Sequence, residues 1–404
     1  MPSRYWGVSG KMLIKTEIGD NTIAFSWKGR LETIKTGNVT IKYDVDVSKT
    51  PKHLANFMFG TLFSEQLSWH NTQIEFDELT ERGEQCLNKH VKMNHMSNPY
   101  GFVKFPEPIK MTAKKIVNDE PTEGGGPVLC ANGMGKDSLA LANIVKELGM
   151  DIRCFSVRST LKTSLWNERT DVMNKFYQSK SIMKNTIVPN TFGEYKIIPW
   201  YIFCLPLAYH YKSKTVLAGL ALSFSQTHAK YNTAFRPNVS IFSLDYISKA
   251  LGINFSSPFK PLSELSIQSL LAERYPESLK YQRSCMHKAP WCNNETCSKC
   301  TRTSLFLTLA GKDLELLGLK PFSREKPYTP KEISLSISCP NNARKKLLGQ
   351  PYDKWIDGVN INALKLIWNK KEFGEIYAEH FESYDYDPGP VSYTHLTLPT
   401  TPYV

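Results

Sequence analysis

The segment PVLCANGMGKDSLALANIVKELGMDIRCFSV, residues 127–157, constrains the fold more than any other part of the chain. PVLCA is a short apolar run that predicts a strand, SLALANIVKEL has helical spacing and stops at Gly149, and DIRCFSV predicts a second strand. Further along, KTVLAGLA predicts a third strand that ends near Gly219. Because strands that alternate with helices form parallel sheets covered by helices, we expect an α/β fold from residue 127 onward.

The turn between the first strand and its helix predicts an anion site. Gly133 and Gly135 allow the backbone to approach an anion and to adopt positive φ, and amides at a helix N-terminus point toward such an anion. Lys136 offers positive charge, Asp137 offers a carboxylate for Mg²⁺, and the hydroxyl of Ser138 suits a helix cap or a phosphate. The spacing fits neither the Walker pattern nor the dinucleotide GxGxxG. The alternative is a glycine-rich turn without a ligand.

Four cysteines lie together in SCMHKAPWCNNETCSKC: Cys285, Cys292, Cys297 and Cys300. The chain shows no secretory signal, and in a reducing compartment such a cluster favours a metal over disulfides. The last two cysteines lead into an apolar helix, whose dipole favours thiolates. Four soft ligands predict a closed, structural Zn²⁺ site, with a redox pair or an iron–sulfur cluster as alternatives. The remaining cysteines are predicted to be buried apolar residues: Cys86, Cys130, Cys154, Cys204 and Cys339.

The chain ahead of residue 127 predicts a β-rich α+β domain at 1–115. MLIKTEI, NTIAFSW, LETIKT and NVTIKYDVDV alternate apolar and polar residues and predict antiparallel strands, HLANFMFGTLFSEQL predicts a helix, and TQIEFDEL predicts another strand. KKIVNDEPTEGGGP indicates a linker, placed at 116–126. Beyond a nucleotide-type domain at 127–320, a helical extension is predicted at 321–390. VSYTHLTLPTT within 391–404 resembles a translated sequencing adapter, so we expect that tail to be non-native.

Charge and hydropathy bound the partners and the compartment. Fifty Lys and Arg against 38 Asp and Glu give a net charge of +12, which predicts an anionic partner, with an ordinary solvated surface as the alternative. No basic tail points to nucleic acid. IIPWYIFCLPLAY, residues 197–209, is too short to span a bilayer and predicts a buried helix. We therefore expect a cytoplasmic protein without a membrane segment, and the sequence leaves its oligomeric state open.

GMGKDS resembles the SGGxDS motif of the PP-loop ATP pyrophosphatases. Three positions match that motif: Gly135, Asp137 and Ser138. Lys136 fills the free position, while Gly133 and Met134 stand where the family has Ser and Gly. The resemblance implies an adenine-nucleotide α-hydrolase-like fold with helices on both faces of a parallel sheet. It also implies that ATP, with Mg²⁺, is split into AMP and pyrophosphate while a substrate is adenylated.

The cysteine segment narrows this resemblance, over residues 127–317, to 7-cyano-7-deazaguanine synthase. That family carries a Cys-x8-Cys-x2-Cys-x2-Cys zinc loop downstream of its PP-loop, whereas the spacings here are six, four and two. It adenylates 7-carboxy-7-deazaguanine, and ammonia then gives the amide and the nitrile. Two features are similar to synthase-like proteins of antiphage defence operons and to the ATP-dependent UDP-muramoyl-alanyl-glutamate epimerase. These are the extra N-terminal domain and the segment PLSELSIQSLLAERYPESLKYQRSC.

The resemblance also implies which residues meet the ligands. Contacts to ATP are expected from the turn and from the end of the second strand: Ala131, Asn132, Gly133, Met134, Gly135, Lys136, Asp137, Ser138, Phe155 and Arg158. Because ligands lie beyond the carboxyl ends of parallel strands, substrate contacts are expected after the third strand, from Gly219, Ser223 and Arg236. In that loop His228 and Lys230 are candidates for an acid, a base or a carboxylate contact. Ordinary surface or loop roles are the alternative for Arg158, His228 and Lys230.

Three functions are therefore in competition. The first is an ATP-dependent ligase or synthase that adenylates 7-carboxy-7-deazaguanine or a similar acid and passes it to ammonia or to another amine. A protein bound by the N-terminal domain is a candidate acceptor. The second is an epimerase of peptidoglycan precursors that works through the same acyl-adenylate. The third is a nucleotide-binding module without catalysis, which the departures at Gly133 and Met134 favour.

Overall fold

The computed structural model describes residues 10–28, 37–67, 72–96, 110–118, 124–157, 163–176, 185–189, 200–220, 239–259, 264–285, 287–288, 290–294, 297–309 and 311–321. All of these belong to one compact unit, 1–338, and a second unit comprises 339–404. Several predictions lie outside the described residues: the LETIKT strand, the helical extension beyond residue 321, the tail at 391–404 and the burial of Cys339.

The N-terminal part contains five strands and two helices among the described residues. They are β1 (Gly10–Ile18), β2 (Thr22–Lys28), β3 (Gly37–Lys42), α1 (Lys52–Leu67), β4 (Thr72–Thr80), α2 (Glu81–Met96) and β5 (Lys110–Val117). The β1–β2 and β2–β3 pairs are antiparallel, as the alternating pattern predicts. The β1–β4 and β4–β5 pairs are parallel, which requires crossovers, and α1 and α2 lie in those connections. β5 runs through Val117, so it occupies the first two residues of the predicted linker.

The second part alternates strands and helices. Its elements are β6 (Val128–Ala131), α3 (Lys136–Glu147), β7 (Ile152–Val157), α4 (Thr163–Phe176), β8 (Asn185–Pro189), α5 (Leu205–His210), β9 (Thr215–Leu217), α6 (Val239–Leu251), β10 (Asn254–Ser256), α7 (Glu264–Arg274) and α8 (Ser298–Leu309). Short 3-10 turns lie at Trp200–Cys204, Pro276–Tyr281 and Glu315–Leu317. β8 precedes β9, so the third strand that the sequence predicts is the fourth of this part.

The five strands β6 to β10 form a parallel sheet in the order β8-β7-β6-β9-β10. This part of the chain begins with the central strand β6 and continues on one side of it through β7 and β8. It then crosses to the other side of β6, where it forms β9 and β10. This is a doubly wound arrangement, and its switch point lies between β6 and β9. Ligands of such sheets bind at the switch point, beyond the carboxyl ends of the strands.

Both faces of β6 are buried in different cores. Val128 and Cys130 pack in one core with α3 and α7, whereas Leu129 and Ala131 pack in the other with residues 201–208 and α6. Strands that are apolar on both faces are typical of parallel sheets between two layers. The apolar run at 197–209 supplies part of the second layer, and its described residues form a 3-10 turn followed by the short helix α5 rather than one continuous helix.

The two parts share one ten-stranded mixed sheet, because β3 pairs antiparallel with β8. The core on one face runs through both parts, and the hydroxyl of buried Tyr43 donates to the carbonyl oxygen of Phe203 at 3.1 Å. Within the described part of the chain, no helix has the length and hydropathy that a membrane crossing requires.

Candidate functional site

The turn between β6 and α3 lies at the switch point of the parallel sheet. The backbone N–H of Asn132 donates to the carbonyl oxygen of Phe155 at 2.8 Å, which continues the β6–β7 ladder past the last residue of β6. The Oδ1 atom of buried Asn132 then accepts the N–H of Met134 at 2.7 Å. This side-chain bond folds the chain back on itself, so that α3 begins at Lys136 directly above the strand.

The left-handed residue of the turn is Met134, with φ of 57°, and neither Gly133 nor Gly135 is left-handed. Gly135 is extended, with φ of −81° and ψ of 173°. The expectation that the two glycines supply positive φ is therefore wrong. A left-handed residue with a side chain costs about 1–2 kcal/mol, and burial of the Met134 side chain in the core offsets a cost of that size.

Two hydroxyl groups flank Gly135. The Oγ of Ser138 accepts the N–H of Gly133 and donates to the carbonyl oxygen of Gly135, both at 3.3 Å. A methyl group at Gly135 would lie 4.0 Å from this Oγ and 4.0 Å from the Oγ of Ser284. Gly135 is the N-cap of α3, and among the described residues no side chain caps the helix. Amides of the first helical turn are therefore directed at the space beside these hydroxyls.

The Ser284 hydroxyl is held by a buried pair of glutamines. The Nε2 of Gln282 donates to the Oγ of Ser284 at 3.0 Å, and Gln268 and Gln282 donate to each other, also at 3.0 Å. Both glutamines are fully buried. Sequence reasoning missed Ser284, and the one signal for it is its position directly before Cys285.

The charged residues of the turn pair with each other. The Nζ of Lys136 lies 2.8 and 2.9 Å from the two carboxylate oxygens of Asp137, and the Lys136 side chain is 10% exposed against 28% for Asp137. Gly219, just beyond β9, abuts this pair, since a Cβ on Gly219 would lie 2.9 Å from the Cβ of Asp137. The structure thus brings one predicted substrate residue against the predicted ATP turn.

Of the other predicted site residues, some lie outside the described part of the chain and some are buried in the core. Arg158, Ser223, His228, Lys230 and Arg236 lie outside the described residues. The side chain of Phe155 is fully buried in the core, so any contact with a nucleotide is left to its main chain. Ala131 is the last residue of β6 and is also buried.

A pair of arginines that the sequence did not suggest borders the turn. Arg169 in α4 donates from Nη1 to the carbonyl oxygen of Gly133 at 3.4 Å and from Nη2 to the carbonyl oxygen of Cys285 at 2.8 Å. Burial lowers the pKa of the Arg169 guanidinium below its ordinary value. Arg283 forms an ion pair with Glu168, and its backbone N–H donates to the carbonyl oxygen of Met134 at 2.6 Å.

The four clustered cysteines converge on one point. The ligand atoms of Cys285, Cys292, Cys297 and Cys300 all lie within 4.8 Å of one another, and the Sγ atoms of Cys292 and Cys300 are 3.6 Å apart. A tetrahedral Zn²⁺ with Zn–S bonds of about 2.3 Å separates its sulfurs by about 3.8 Å, so this donor set suits such an ion. Four of the dispersed cysteines, Cys86, Cys130, Cys154 and Cys204, are buried, as predicted.

The surroundings of the cluster favour thiolate at one position and oppose it at another. Burial raises the pKa of the Cys285 thiol, but the N–H groups of Lys288, His287 and Cys292 outweigh it and lower the pKa to about 7. Burial raises the pKa of Cys300 above its ordinary value. Because a bound cation deprotonates its thiol ligands, a metal would compensate this cost. Cys297 directly precedes α8 and Cys300 lies in its first turn, as predicted.

The cysteine loop is anchored to the chain that follows α8. The Nε1 of buried Trp291 donates to the carbonyl oxygen of Leu317 at 3.0 Å. Asn293, which is left-handed with φ of 50°, donates to the carbonyl oxygen of Gly318 at 2.9 Å and accepts the N–H of Lys320 at 3.0 Å.

Comparison with known proteins gives no relative for this arrangement. No family model matches the chain, and no curated protein and no solved structure matches it.

Proposed function

We propose that the protein is an ATP-dependent ligase or synthase that binds ATP at residues 132–138, adenylates a carboxylic acid and releases pyrophosphate. The observation that carries this proposal is the place of the turn, at the switch point of a doubly wound parallel sheet and at the uncapped N-terminus of α3. The same strand order supports an adenine-nucleotide α-hydrolase-like fold for this part of the chain.

The residues of the turn suit the handling of a triphosphate. A carboxylate is a poor electrophile, and transfer of AMP turns it into a mixed anhydride with a good leaving group. The site has to hold two anions together and to neutralise the charge that develops on the α-phosphate. The amides of the first turn of α3 and the ammonium group of Lys136 would serve this purpose. Asp137 is the carboxylate that would hold Mg²⁺, which supplies further charge neutralisation.

The Lys136–Asp137 ion pair gives a route to this bound state. Asp137 is neutralised by Lys136 in the described structure, at 2.8 and 2.9 Å. When a cation binds Asp137 and a phosphate approaches Lys136, each member of the pair exchanges one opposite charge for another. Neither charge is left unpaired during this exchange, which keeps its cost low.

Two observations answer the departures from the PP-loop motif. The position at which the family has its first Gly is left-handed here, and Met134 adopts that conformation. The hydroxyl that the family takes from Ser at the position of Gly133 has a substitute in Ser284, which lies beside Gly135 and is oriented by Gln282. Gln282 donates to the Ser284 oxygen, so the hydroxyl proton is free to be directed at a phosphate.

The sequence resemblance supports three further parts of the proposal: the identity of the acid, the identity of the acceptor and the metal bound by the cysteine cluster. The acid is 7-carboxy-7-deazaguanine or a similar compound, and ammonia or another amine, with a protein as candidate, receives the acyl group. The cluster holds a structural Zn²⁺, since four thiolates leave no coordination position for water. A second candidate, a nucleotide-binding module without catalysis, is favoured by the departures from the motif at Gly133 and Met134.

Measurement of pyrophosphate and AMP release tests the proposal. The full chain is incubated with ATP and Mg²⁺, and either 7-carboxy-7-deazaguanine or UDP-muramoyl-alanyl-glutamate is added. Release that depends on the deazaguanine acid supports the ligase. Release that depends only on the glutamyl compound identifies the epimerase, which would also need a base for the α-proton. Tight ATP binding without release in either case supports the module, and no ATP binding rejects all three.

A further inference from the structure

Arg169 connects the anion turn to the cysteine loop. Its guanidinium donates to the carbonyl oxygen of Gly133 at 3.4 Å and to that of Cys285 at 2.8 Å. These acceptors are 36 and 116 residues from Arg169 along the chain. A planar guanidinium presents its N–H groups in a fixed fork, so the two carbonyls are held at a set separation and angle.

Two further contacts join the same two segments. The backbone N–H of Arg283 donates to the carbonyl oxygen of Met134 at 2.6 Å. The side chain of Met134 packs in the core that also contains Cys285, Cys297 and Cys300. The peptide group after Met134 is therefore held by the segment that carries the first cysteine, and the one before it contacts Arg169, which also contacts Cys285.

Few contacts other than hydrogen bonds fix the conformation of Gly133. It has no side chain, and a methyl group placed on it would find no atom within 4 Å. Its N–H contacts the Oγ of Ser138 at 3.3 Å, a weak bond at the long end of the range. The peptide group between Gly133 and Met134 is held by two side chains: Asn132 Oδ1 accepts its N–H at 2.7 Å, and Arg169 donates to its carbonyl oxygen at 3.4 Å.

We propose that Arg169 is a positioning residue that makes the shape of the anion turn depend on metal binding by the four cysteines. The carbonyl that Arg169 contacts belongs to Cys285 itself, so a change in the position of the Cys285 sulfur shifts the guanidinium. A metal bound at the cluster fixes that sulfur, and without the metal the four thiols repack. Only the consequence for ATP rests on the function proposed above; the coupling of turn and cluster does not require it.

Hydrogen–deuterium exchange of the ligand-free protein tests the coupling directly. Exchange at the amides of residues 133–139 is compared between zinc-loaded protein and protein stripped by a chelator, with zinc content measured in parallel. We expect exchange in the turn to rise by about tenfold on stripping, an effect of the size that loss of one hydrogen bond produces. The β6 amides should keep their protection. Unchanged exchange in the turn, an equal rise throughout β6 and α3, or a chain that binds no zinc would each overturn the proposal.

Three variants separate positioning from general packing. Arg169→Met should bind zinc as the wild type does. Its turn amides should exchange at the faster rate even when zinc is bound, and removal of zinc should raise that rate little further. Arg169→Lys retains one charged donor, so its exchange rate in the turn should lie between those of the wild type and Arg169→Met. Arg274→Met is the matched control, because Arg274 pairs with Glu147 on the surface and contacts neither segment in the described structure. Loss of zinc in Arg169→Met, or faster turn exchange in Arg274→Met, would contradict the assignment.

Titration of ATP·Mg²⁺ into the same samples distinguishes the two proposals. If both hold, stripped wild type and Arg169→Met bind ATP about tenfold more weakly than loaded wild type. If the turn responds to zinc but loaded wild type binds no ATP, the coupling stands and the proposed function fails. If loaded wild type binds ATP and neither stripping nor Arg169→Met changes the affinity or the exchange, the coupling fails and the function stands.

Discussion

Gly219 and Asp137 approach each other so closely that a Cβ atom on Gly219 would lie 2.9 Å from the Cβ of Asp137 and 3.1 Å from its carbonyl carbon. Gly219 follows β9 and Asp137 lies in the first turn of α3, on opposite sides of the switch point. The first helical turn therefore rests against the main chain of the neighbouring strand.

Substitution Gly219→Ala should destabilise the protein and weaken ATP binding. The added methyl group meets backbone as well as side chain, so one of the two segments has to move, at a cost of about 1–3 kcal/mol. Urea unfolding measures this cost. Gly133→Ala is the control for stability, because open space surrounds Gly133. Equal stability of the two variants would show that the approach at Gly219 is relaxed in solution.

Substitution Asp137→Asn should reduce pyrophosphate release by about 100-fold or more, because it removes the carboxylate for Mg²⁺ and the ion pair with Lys136. Initial rates at saturating ATP and acid measure the effect. Asp171→Asn on α4, where the side chain is exposed, is the control and should retain the wild-type rate. Full turnover by Asp137→Asn would remove Asp137 from the site.

Substitution Ser284→Ala should weaken ATP binding by about tenfold, the loss expected for one hydrogen bond to a charged phosphate. Isothermal titration measures the affinity. Ser278→Ala is the control, because Ser278 bonds to Asn143 at 3.2 Å, away from Gly135. If both variants bind ATP as the wild type does, the Ser284 hydroxyl has no part in binding.

Substitution Cys297→Ser should lower zinc content and solubility, because oxygen is a poorer ligand than sulfur for this ion. Elemental analysis of the purified chain gives the metal and its stoichiometry, and absorption spectra identify an iron–sulfur cluster if one is present instead. Cys86→Ser, in α2, is the control and should leave the metal content unchanged. Equal metal content in the two variants would place the metal elsewhere.

The stability of the protein should fall in mild acid because of His90. Among the described residues its two ring nitrogens have no hydrogen-bond partner, and burial lowers its pKa to about 4. The folded state therefore keeps His90 neutral, whereas the unfolded chain takes up a proton below about pH 6.5. The contribution of His90 to the free energy of unfolding is fully present above pH 6.5. It decreases by about 3 kcal/mol as the pH falls to 4.

Urea unfolding at pH 7.5 and pH 5 checks this dependence. Replacement of His90 by Leu should flatten the profile, because no group is then left to take up that proton on unfolding. A wild-type profile that His90→Leu leaves unaltered would assign the acid sensitivity to another group.

The sequence predicted those elements whose signals are local. β6, α3 and β7 follow from apolar runs, helical spacing and a terminating glycine, and the cysteine cluster follows from spacing alone. β5 was missed because it is an edge strand with exposed lysines, so its KMTAKKIV sequence carries little apolar alternation. α2 was missed because most of its length is polar.

The parts of the site that were not predicted depend on tertiary packing. Arg169 and Ser284 reach the turn from α4 and from the segment after α7, and the only local signal for either is that Ser284 precedes Cys285. The left-handed residue was assigned to glycine on intrinsic preference, but burial of the Met134 side chain overrides that preference. The parallel pairing of β1 with β4 likewise depends on the crossover through α1.

The pairing of β3 with β8 has a consequence for how the protein can be dissected. Through this pair, Ile41 and Lys42 of β3 lie opposite Pro189 and Val188 at the end of β8, a strand of the parallel part. In a fragment that begins at residue 127, β8 would be an exposed edge strand with unpaired backbone groups that could pair with other chains. Apolar side chains on one face of the sheet would also be exposed. Any acceptor recruited by the first hundred residues would accordingly be held on the same continuous sheet as the anion turn.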